Sequence, residues 1–218
     1  MKFIPSFEYE NQYWQQGIKV IAGVDEVGMG ALAGPVVAAA VVFDPKIFPP
    51  DIIRDSKLLS APQRDRALKW IKDNALHWSI SQSSVEEISS INIRAASHLA
   101  MRRSLDSINV HIELALIDGN PAQPHPTIPA VNIIKGDQKS FSIAAASILA
   151  KVYRDELMIK LGEQYPAYGF ASHKGYGAAL HLSALQQYGA CPEHRVTYAP
   201  VRAVLTKLPS SAKLQRTN

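Results

Sequence analysis

The sequence predicts an α/β fold with a helical C-terminal part. Two short apolar runs, Val20–Val24 and Val36–Phe43, are separated by a glycine-rich stretch, which is typical of neighbouring strands joined by a turn. A third apolar run, Leu114–Ile117, precedes Asp118-Gly119, and helix-type patterns lie between and after these runs. Beyond about residue 163 the patterns are helical or irregular, so the predicted sheet lies in the first two thirds of the chain.

Two capping-box patterns place helices between the strands. Ser60–Gln63 predicts a helix over 61–75, and Ser84–Glu87 predicts a helical region that runs to about Ile108. Between them, His77–Ser83 alternates as a strand does, with Trp78 and Ile80 on one face. We expect Trp70, Trp78 and Phe141 to lie in the core.

The second half is predicted to contain one short strand and several helices. Ala130–Ile134 is the strand, and a long helix over Gln138–Leu161 should be closed by Gly162. An irregular loop over Tyr165–Gly177, two helices over about 178–188 and 201–208, and a frayed tail over 209–218 complete the expectation. We therefore expect a single domain over 1–208, whose helical C-terminal part spans about 163–208.

Composition limits the protein class. The chain has 218 residues, of which 47% are hydrophobic and 19% charged, as in folded globular proteins. Its one cysteine, Cys191, excludes an internal disulfide and fits a reducing compartment. No signal-peptide pattern and no apolar run of membrane-spanning length occur, so the sequence predicts a cytoplasmic protein without membrane contact.

Charge is distributed unevenly along the chain. The net charge is +4, but residues 170–218 contain six Lys or Arg and one acid, a net of +5. Such a basic segment is compatible with nucleic-acid binding and equally with an ordinary solvated surface.

Three acidic positions suggest a site. Asp25, followed by Glu26, and Asp118 each end an apolar strand, and functional side chains of α/β proteins gather beyond strand ends. Asp155 shares one face of the long predicted helix with Ser147 and Lys151. Clustered carboxylates repel one another unless a cation lies between them, and oxygen ligands favour Mg²⁺ or Mn²⁺ over Zn²⁺.

Each acid also has a simpler interpretation. An aspartate before a glycine is often only a turn residue, and Asp155 could pair with Lys151 on the helix surface. Pattern alone therefore leaves the metal site open.

Several motifs, in order, resemble the ribonuclease HII family. Gly23-Val-Asp-Glu-Val-Gly-Met-Gly-Ala-Leu-Ala-Gly-Pro35 is similar to its opening motif, G-V-D-E-V-G-R-G-P-L-x-G-P. The matching segments that follow are Asp55-Ser-Lys57, Ile91-Asn92, Leu116-Ile-Asp-Gly-Asn120, Lys135-Gly-Asp137, Ala144–Asp155, Tyr168-Gly-Phe170 and His173-Lys-Gly-Tyr-Gly177.

The resemblance implies a fold and a reaction. The fold would be a ribonuclease H-like mixed sheet flanked by helices, with a helical C-terminal extension. Asp25, Glu26, Asp118 and Asp155 would hold two divalent cations, Mn²⁺ or Mg²⁺, one activating water and one stabilising the leaving 3′ oxygen. The enzyme would cut the RNA strand of RNA–DNA hybrids, and cut 5′ to ribonucleotides embedded in duplex DNA, leaving 5′-phosphate and 3′-hydroxyl ends.

The resemblance also implies substrate contacts. The turn at Gly28, Met29 and Gly30 would present backbone groups to the ribose 2′-hydroxyl, and Tyr176 would sense the RNA-to-DNA junction. Candidates for phosphate contacts are Lys57, Lys151, His173 and Lys174. We expect Ser147 to be a packing residue.

Two departures from the family pattern bear on partners. Met29 replaces the usual arginine, which puts substrate affinity in question. The C-terminus lacks the Q-x-x-L-x-x-F-F pattern, so we expect no sliding-clamp binding of that type, and a monomer. The alternatives are a relative that binds nucleic acid without cutting, a ribonuclease H-like nuclease for DNA, and a small-molecule phosphohydrolase.

Overall fold

The computed structural model describes residues 4–54, 56–120 and 124–207. The tail expected to fray at 209–218 lies outside these residues. Within them, no helix combines the length and the apolar character that crossing a bilayer requires.

A five-stranded mixed sheet forms the centre of the molecule, as predicted. Its spatial order is β3-β2-β1-β4-β5, with antiparallel pairing among the first three and parallel pairing of β4 with β1 and β5. The strands are β1 (Ile21–Val27), β2 (Val36–Val42), β3 (His77–Ser83), β4 (Leu114–Asp118) and β5 (Ala130–Ile133).

Helices cover both faces of the sheet and make up the C-terminal part. They are α1 (Glu8–Trp14), α2 (Ala61–Asn74), α3 (Val85–Ile91), α4 (Ile93–Asp106), α5 (Phe141–Gln164), α6 (Phe170–His173), α7 (Ala179–Tyr188) and α8 (Ala199–Lys207). The helical C-terminal extension is therefore confirmed.

Strand β2 is buried on both faces, because apolar layers lie on each side of the sheet. Val37, Ala39 and Val41 face the layer of α2 and α5, and the alternate residues face α4. This burial explains why its sequence is a continuous Val/Ala run without polar alternation.

Helix α5 packs directly on β1, at a distance that only small residues permit. A side chain at Gly23 would place its Cβ 2.2 Å from the backbone of Ser142. Ala144, Ala145 and Ala146 on the same helix are also fully buried. The close fit fixes the position of α5 relative to the strand that carries Asp25.

The predicted end of this helix was wrong. Gly162 lies inside α5, which continues to Gln164, and a Cβ at Gly162 would come 2.8 Å from the backbone nitrogen of Ala171. The glycine therefore allows α6 to approach α5 closely, and it does not terminate the helix. The start also differs, since Ser140 caps the helix through the Ile143 N–H.

Other differences have local causes. The region to Ile108 is split at Asn92, which has a φ of +67° and caps α4 with its side chain. Trp78, expected in the core, is 40% exposed under the ammonium of Lys72, and Phe141 is fully buried as expected. Helix α1 was not anticipated, and the predicted irregular loop contains the single turn α6.

Candidate active site

The two strands that carry aspartates lie side by side. Asp118 ends β4 as predicted, but the prediction that Asp25 ends its strand was wrong, because pairing with β2 extends β1 through Glu26 to Val27. Parallel β1 and β4 pair Val24 with Ile117, so Asp25 and Asp118 are the next residues on adjacent strands. Glu26 follows on β1, and its N–H donates to the Asp25 carboxylate at 2.8 Å. The sheet therefore brings three of the four predicted acids to one edge.

The Asp25 carboxyl is shielded from water. Its side chain is buried, and burial raises the pKa of its carboxyl well above the ordinary value. The negative charges of Glu26 and Asp118 raise the pKa further, while the nearby Ser147 hydroxyl lowers it. The site thus accumulates negative charge that a cation would compensate.

The loop after β5 orients Asp118. The Gly136 N–H donates to Asp118 Oδ1 at 2.6 Å. A Cβ at Gly136 would meet Ile143 at 2.6 Å, so the glycine allows this loop to fit between β4 and α5. Asp137, the next residue, is also buried and adds to the charge that raises the pKa of Asp25.

Asp155, the fourth predicted acid, forms an ion pair with a lysine on its own helix. Its carboxylate accepts a hydrogen bond from Lys151 Nζ at 2.7 Å on the face that the sequence predicted. Both side chains are mostly buried, with 16% and 19% exposure. The simpler interpretation, an ion pair along the helix, thus describes Asp155 in this structure.

Contacts along α5 show where Asp155 lies relative to the other acids. Helix α5 and β1 run in the same direction, because Ser142 contacts Gly23, Ser147 lies at Asp25, and Arg154 contacts Gly28. Asp155 therefore lies at the level of the turn that follows β1. Eight residues separate it from Ser147, which is about two helical turns along α5.

The carboxylate oxygens of the predicted acids are suitable ligands for a hard divalent cation. In this structure they are not arranged as a coordination shell. In the part of the chain that the structure describes, no three His, Cys, Asp or Glu side chains are grouped so that they could hold a metal ion. The donors at the strand ends are all carboxylate oxygens, which suit Mg²⁺ or Mn²⁺. The raised pKa of Asp25 marks the charge that such an ion would neutralise.

A buried arginine on α5 holds the turn that follows β1 through hydrogen bonds. Arg154 is fully buried and donates to the carbonyls of Pro35, Ala33 and Lys174 at 3.0, 3.1 and 2.9 Å. Gly28 has a φ of +100°, and a Cβ there would lie 2.3 Å from Arg154 Nε. The first glycine of the turn thus makes room for this arginine.

The second glycine of the turn faces open space. Apart from its two chain neighbours, no described residue has an atom within 4 Å of the position that a Cβ at Gly30 would take, and Met29 beside it is 36% exposed. The turn therefore presents its Met29–Gly30 side to solvent, where a ligand could approach the backbone.

The loop of Tyr176 packs behind the same turn. The Leu32 N–H donates to the Gly175 carbonyl at 2.8 Å, and the Arg154 guanidinium lies 5.5 Å from the Tyr176 ring centroid. Tyr176 itself is 37% exposed. The structure therefore brings Tyr176 and the Gly28 turn together.

The proposed phosphate contacts are less favoured by the structure. His173 uses both ring nitrogens, accepting from the Gly175 N–H and pairing with the Tyr168 carbonyl. The Lys174 ammonium donates to the Ala171 carbonyl, and the Lys151 ammonium binds Asp155. The side chain of Lys57 lies outside the described residues.

Sequence reasoning did not identify the groups that shape the turn. Arg154 and Asp137 stood inside recognised segments, so their place in those motifs was an available signal. Arg195, fully buried, donates to the carbonyls of Met29 and Gly34 at 3.0 and 2.9 Å. No periodicity or spacing marks Arg195, because the two turn carbonyls that it binds lie more than 160 residues away in the sequence.

Comparison with known proteins agrees with this geometry. The family model for Ribonuclease HII matches residues 22–201. Ribonuclease HII 1 of Methylibium petroleiphilum is 53% identical over 197 residues, which cover 89% of this chain and 98% of that protein. Ribonuclease HII of a Janthinobacterium species is 53% identical over 186 residues, which cover 85% and 88% of the two chains.

Solved structures show the same fold. Ribonuclease H2 of Pyrococcus horikoshii matches 85% of this chain and 96% of its own, with a TM-score of 0.73 and 25% identity. Bst-RNase HIII, solved in complex with Mn²⁺, matches 88% of this chain and 71% of its own, with a TM-score of 0.68 and 20% identity. The chain belongs to the ribonuclease HII family of metal-dependent endoribonucleases, which cleave the RNA of RNA–DNA hybrids.

Proposed function

We propose that this ribonuclease also incises duplex DNA on the 5′ side of embedded ribonucleotides, leaving 5′-phosphate and 3′-hydroxyl ends. The observation that carries the proposal is the placement of Asp25 and Asp118 next to each other on adjacent strands, near a turn whose backbone is open to solvent. A site that combines carboxylates with an accessible backbone can cut a phosphodiester beside a ribose that it recognises.

Asp25, Glu26, Asp118 and Asp155 are the proposed ligands of two Mg²⁺ or Mn²⁺ ions. When bound, such ions supply an activated water and stabilise the leaving 3′ oxygen. The described contacts assign preparatory roles to the protein. Gly136 orients Asp118, Ser147 lies against Asp25, and Lys151 neutralises Asp155, which would have to exchange this partner to bind a cation.

Ribose recognition is assigned to the turn and to Tyr176. Gly30 leaves space for a sugar to approach the backbone, and a 2′-hydroxyl is the group that distinguishes RNA from DNA there. The exposed part of Tyr176 would pack on the adjoining sugar at the RNA-to-DNA junction. An RNA–DNA hybrid and a ribonucleotide-containing DNA duplex are therefore the proposed partners.

The incision assay uses a 5′-labelled duplex with one ribonucleotide and an all-DNA duplex of the same sequence. We expect Mg²⁺- or Mn²⁺-dependent cutting of the first, one product that ends just before the ribonucleotide, and no cutting of the second. Cutting of both duplexes would favour a general DNA nuclease. Binding without cutting would favour a non-catalytic relative.

Replacing Met29 by arginine should strengthen binding. The side chain of Met29 is exposed while its carbonyl is held from behind, so the substitution adds a cation without disturbing the backbone. If the new guanidinium reaches a phosphate, the slope of log affinity against log salt should steepen by about 0.9. Affinity for the mixed duplex over a salt series in Ca²⁺ measures this change.

Leu76→Arg is the matched control for Met29→Arg. Leu76 is also exposed, and its N–H bonds to the Val42 carbonyl at the opposite end of β2 from the turn. The control adds the same charge away from the site and should leave the slope nearly unchanged. Equal slopes for all three proteins would show that position 29 does not face a phosphate.

Truncating Tyr176 should affect one substrate more than the other. We expect Tyr176→Ala to lose about tenfold more activity on a single embedded ribonucleotide than on a long hybrid, since loss of aromatic packing on one nucleotide costs about 1–3 kcal/mol. Tyr176→Phe keeps the ring and should retain most activity. Equal losses on both substrates would contradict the junction role.

A further inference from the structure

The peptide bond between Met29 and Gly30 is held from one side by two donors. The Met29 carbonyl accepts hydrogen bonds from Arg195 Nη1 at 3.0 Å and from the Tyr198 hydroxyl at 2.6 Å. The C=O and N–H of a trans peptide point in opposite directions, and no cis peptide occurs among the described residues. Fixing the carbonyl toward Arg195 therefore directs the Gly30 N–H away from it.

The Gly30 N–H is available to a ligand. It makes no hydrogen bond within the described residues, and the space around Gly30 is open. Since an N–H that points at solvent can donate to an approaching oxygen, this group is the natural donor to a ribose hydroxyl at the turn.

The roles of the two donors follow from their chemistry. Arg195 Nη1 also lies 3.1 Å from the Tyr198 oxygen, and a guanidinium can only donate. The Tyr198 oxygen therefore accepts from Arg195, and its own hydrogen is left for the Met29 carbonyl. The central carbon of the Arg195 guanidinium lies 5.4 Å from the centroid of the Tyr198 ring, which is within the range of a cation–π interaction.

Arg195 also fixes the width of the turn. Its Nε donates to the Gly34 carbonyl at 2.9 Å, and its backbone N–H donates to the Leu32 carbonyl at 2.9 Å. One buried residue thus holds both ends and the middle of the turn. The Met29–Gly30 peptide cannot flip without breaking the bonds of its carbonyl to Arg195 and Tyr198.

We propose that Arg195 and Tyr198 are positioning residues for ribose recognition, which hold the Met29–Gly30 peptide so that its N–H faces a 2′-hydroxyl. This inference rests on the proposed role of the turn in substrate recognition. A deoxyribose has no 2′ oxygen, so the effect of loosening the peptide should be confined to ribonucleotide-containing duplexes.

The test is Tyr198→Phe, which removes one hydroxyl and keeps the ring. Affinities are measured in Ca²⁺ for two duplexes of one sequence, with a single ribonucleotide or a deoxyribonucleotide at the same position. Their ratio is the ribose selectivity. We expect the ratio to fall by about two- to tenfold, the range for one neutral hydrogen bond, with unchanged affinity for the all-DNA duplex.

Arg195→Lys should reduce the ratio more, because an ammonium keeps the charge but cannot reach both carbonyls as the planar fork does. Thermal unfolding of this variant is measured in parallel, since Arg195 is fully buried. Tyr198→Phe decides the question if Arg195→Lys does not fold.

Tyr168→Phe is the matched control. The Tyr168 hydroxyl donates to the Gly189 carbonyl at 3.1 Å, a bond of the same kind in the same helical part that involves no atom of the turn, although the Tyr168 ring packs in one cluster with Ala33. Unchanged selectivity in this control, with reduced selectivity in Tyr198→Phe, supports the proposal.

Three results overturn it. If the wild type shows no ribose selectivity, the proposed role of the turn fails and the inference fails with it. If the wild type is selective and Tyr198→Phe is equally selective, the inference alone fails. If Tyr168→Phe loses as much selectivity as Tyr198→Phe, loosening of the C-terminal part explains the effect and positioning does not.

Discussion

Asp25→Asn should lower cleavage of an RNA–DNA hybrid by more than about a hundredfold while making the metal-free protein more stable. Loss of a partner outside the ligand shell already costs about 10- to 100-fold, so loss of a direct ligand should cost at least as much. The stability gain follows from the buried, raised-pKa carboxyl of Asp25, whose charge is opposed by Glu26 and Asp118.

The pH dependence of this gain has a definite sign. The folded pKa of Asp25 lies above its ordinary value of 3.8, so the folded state binds this proton more tightly than the unfolded state. Its contribution to stability is complete below 3.8 and is lost as the pH rises toward the folded pKa. The difference between Asp25→Asn and wild type should therefore grow across that window.

Urea unfolding in EDTA at several pH values, together with a hybrid cleavage assay in Mg²⁺, measures both effects. Asp65→Asn on the exposed surface of α2 is the control, and it should change neither stability nor cleavage. Full activity of Asp25→Asn would remove Asp25 from the site.

Gly28→Ala and Gly30→Ala should separate stability from recognition. At Gly28, the φ of +100° and the 2.3 Å approach of Arg154 Nε oppose a side chain. We expect Gly28→Ala to lower the free energy of unfolding by about 3 kcal/mol or more, since backbone strain costs about 1–3 kcal/mol and a buried arginine must also move.

Gly30→Ala should leave stability within about 1 kcal/mol of wild type, because the added methyl group meets open space. It should still reduce incision at a single ribonucleotide by at least about tenfold, because the methyl group would stand where the sugar approaches the backbone. Unfolding midpoints and incision rates of both variants provide the comparison. A stable Gly28→Ala protein, or a fully active Gly30→Ala protein, would contradict this division.

Local patterns predicted the parts of the fold that depend on local physics. The apolar runs before Asp25 and Asp118 form neighbouring strands, because a sheet that is covered on both faces buries every residue of such a run. The box beginning at Ser84 indeed caps α3, with the Glu87 side chain bound to the Ser84 N–H. These signals are complete within a few residues of sequence.

Tertiary contacts decided the features that the patterns did not. Gly162 looks like a helix terminator in sequence, yet its role is set by Ala171, which packs against it. Asn92 breaks a helical region because its side chain can cap the next helix from a left-handed backbone. Neither outcome can be derived from helix periodicity alone.

The candidate site likewise contains residues that local patterns predicted and residues that only tertiary contacts place. The apolar runs predicted that Asp25 and Asp118 lie on neighbouring strands, although β1 continues past Asp25 to Val27, and helical spacing placed Lys151 beside Asp155. Arg195 and Tyr198 could not be predicted in this way, because their partners are turn carbonyls that any sequence would supply. Backbone recognition leaves no residue-type signature at the position that is recognised.

The most direct test of the central claim is a count of bound Mn²⁺ by electron paramagnetic resonance. The proposed site predicts up to two Mn²⁺ ions per wild-type chain, the same number in the Asp65→Asn control, and fewer, more weakly bound ions in Asp25→Asn and Asp118→Asn. Wild-type Mn²⁺ binding in both site variants would show that Asp25 on β1 and Asp118 on β4 do not hold the metal.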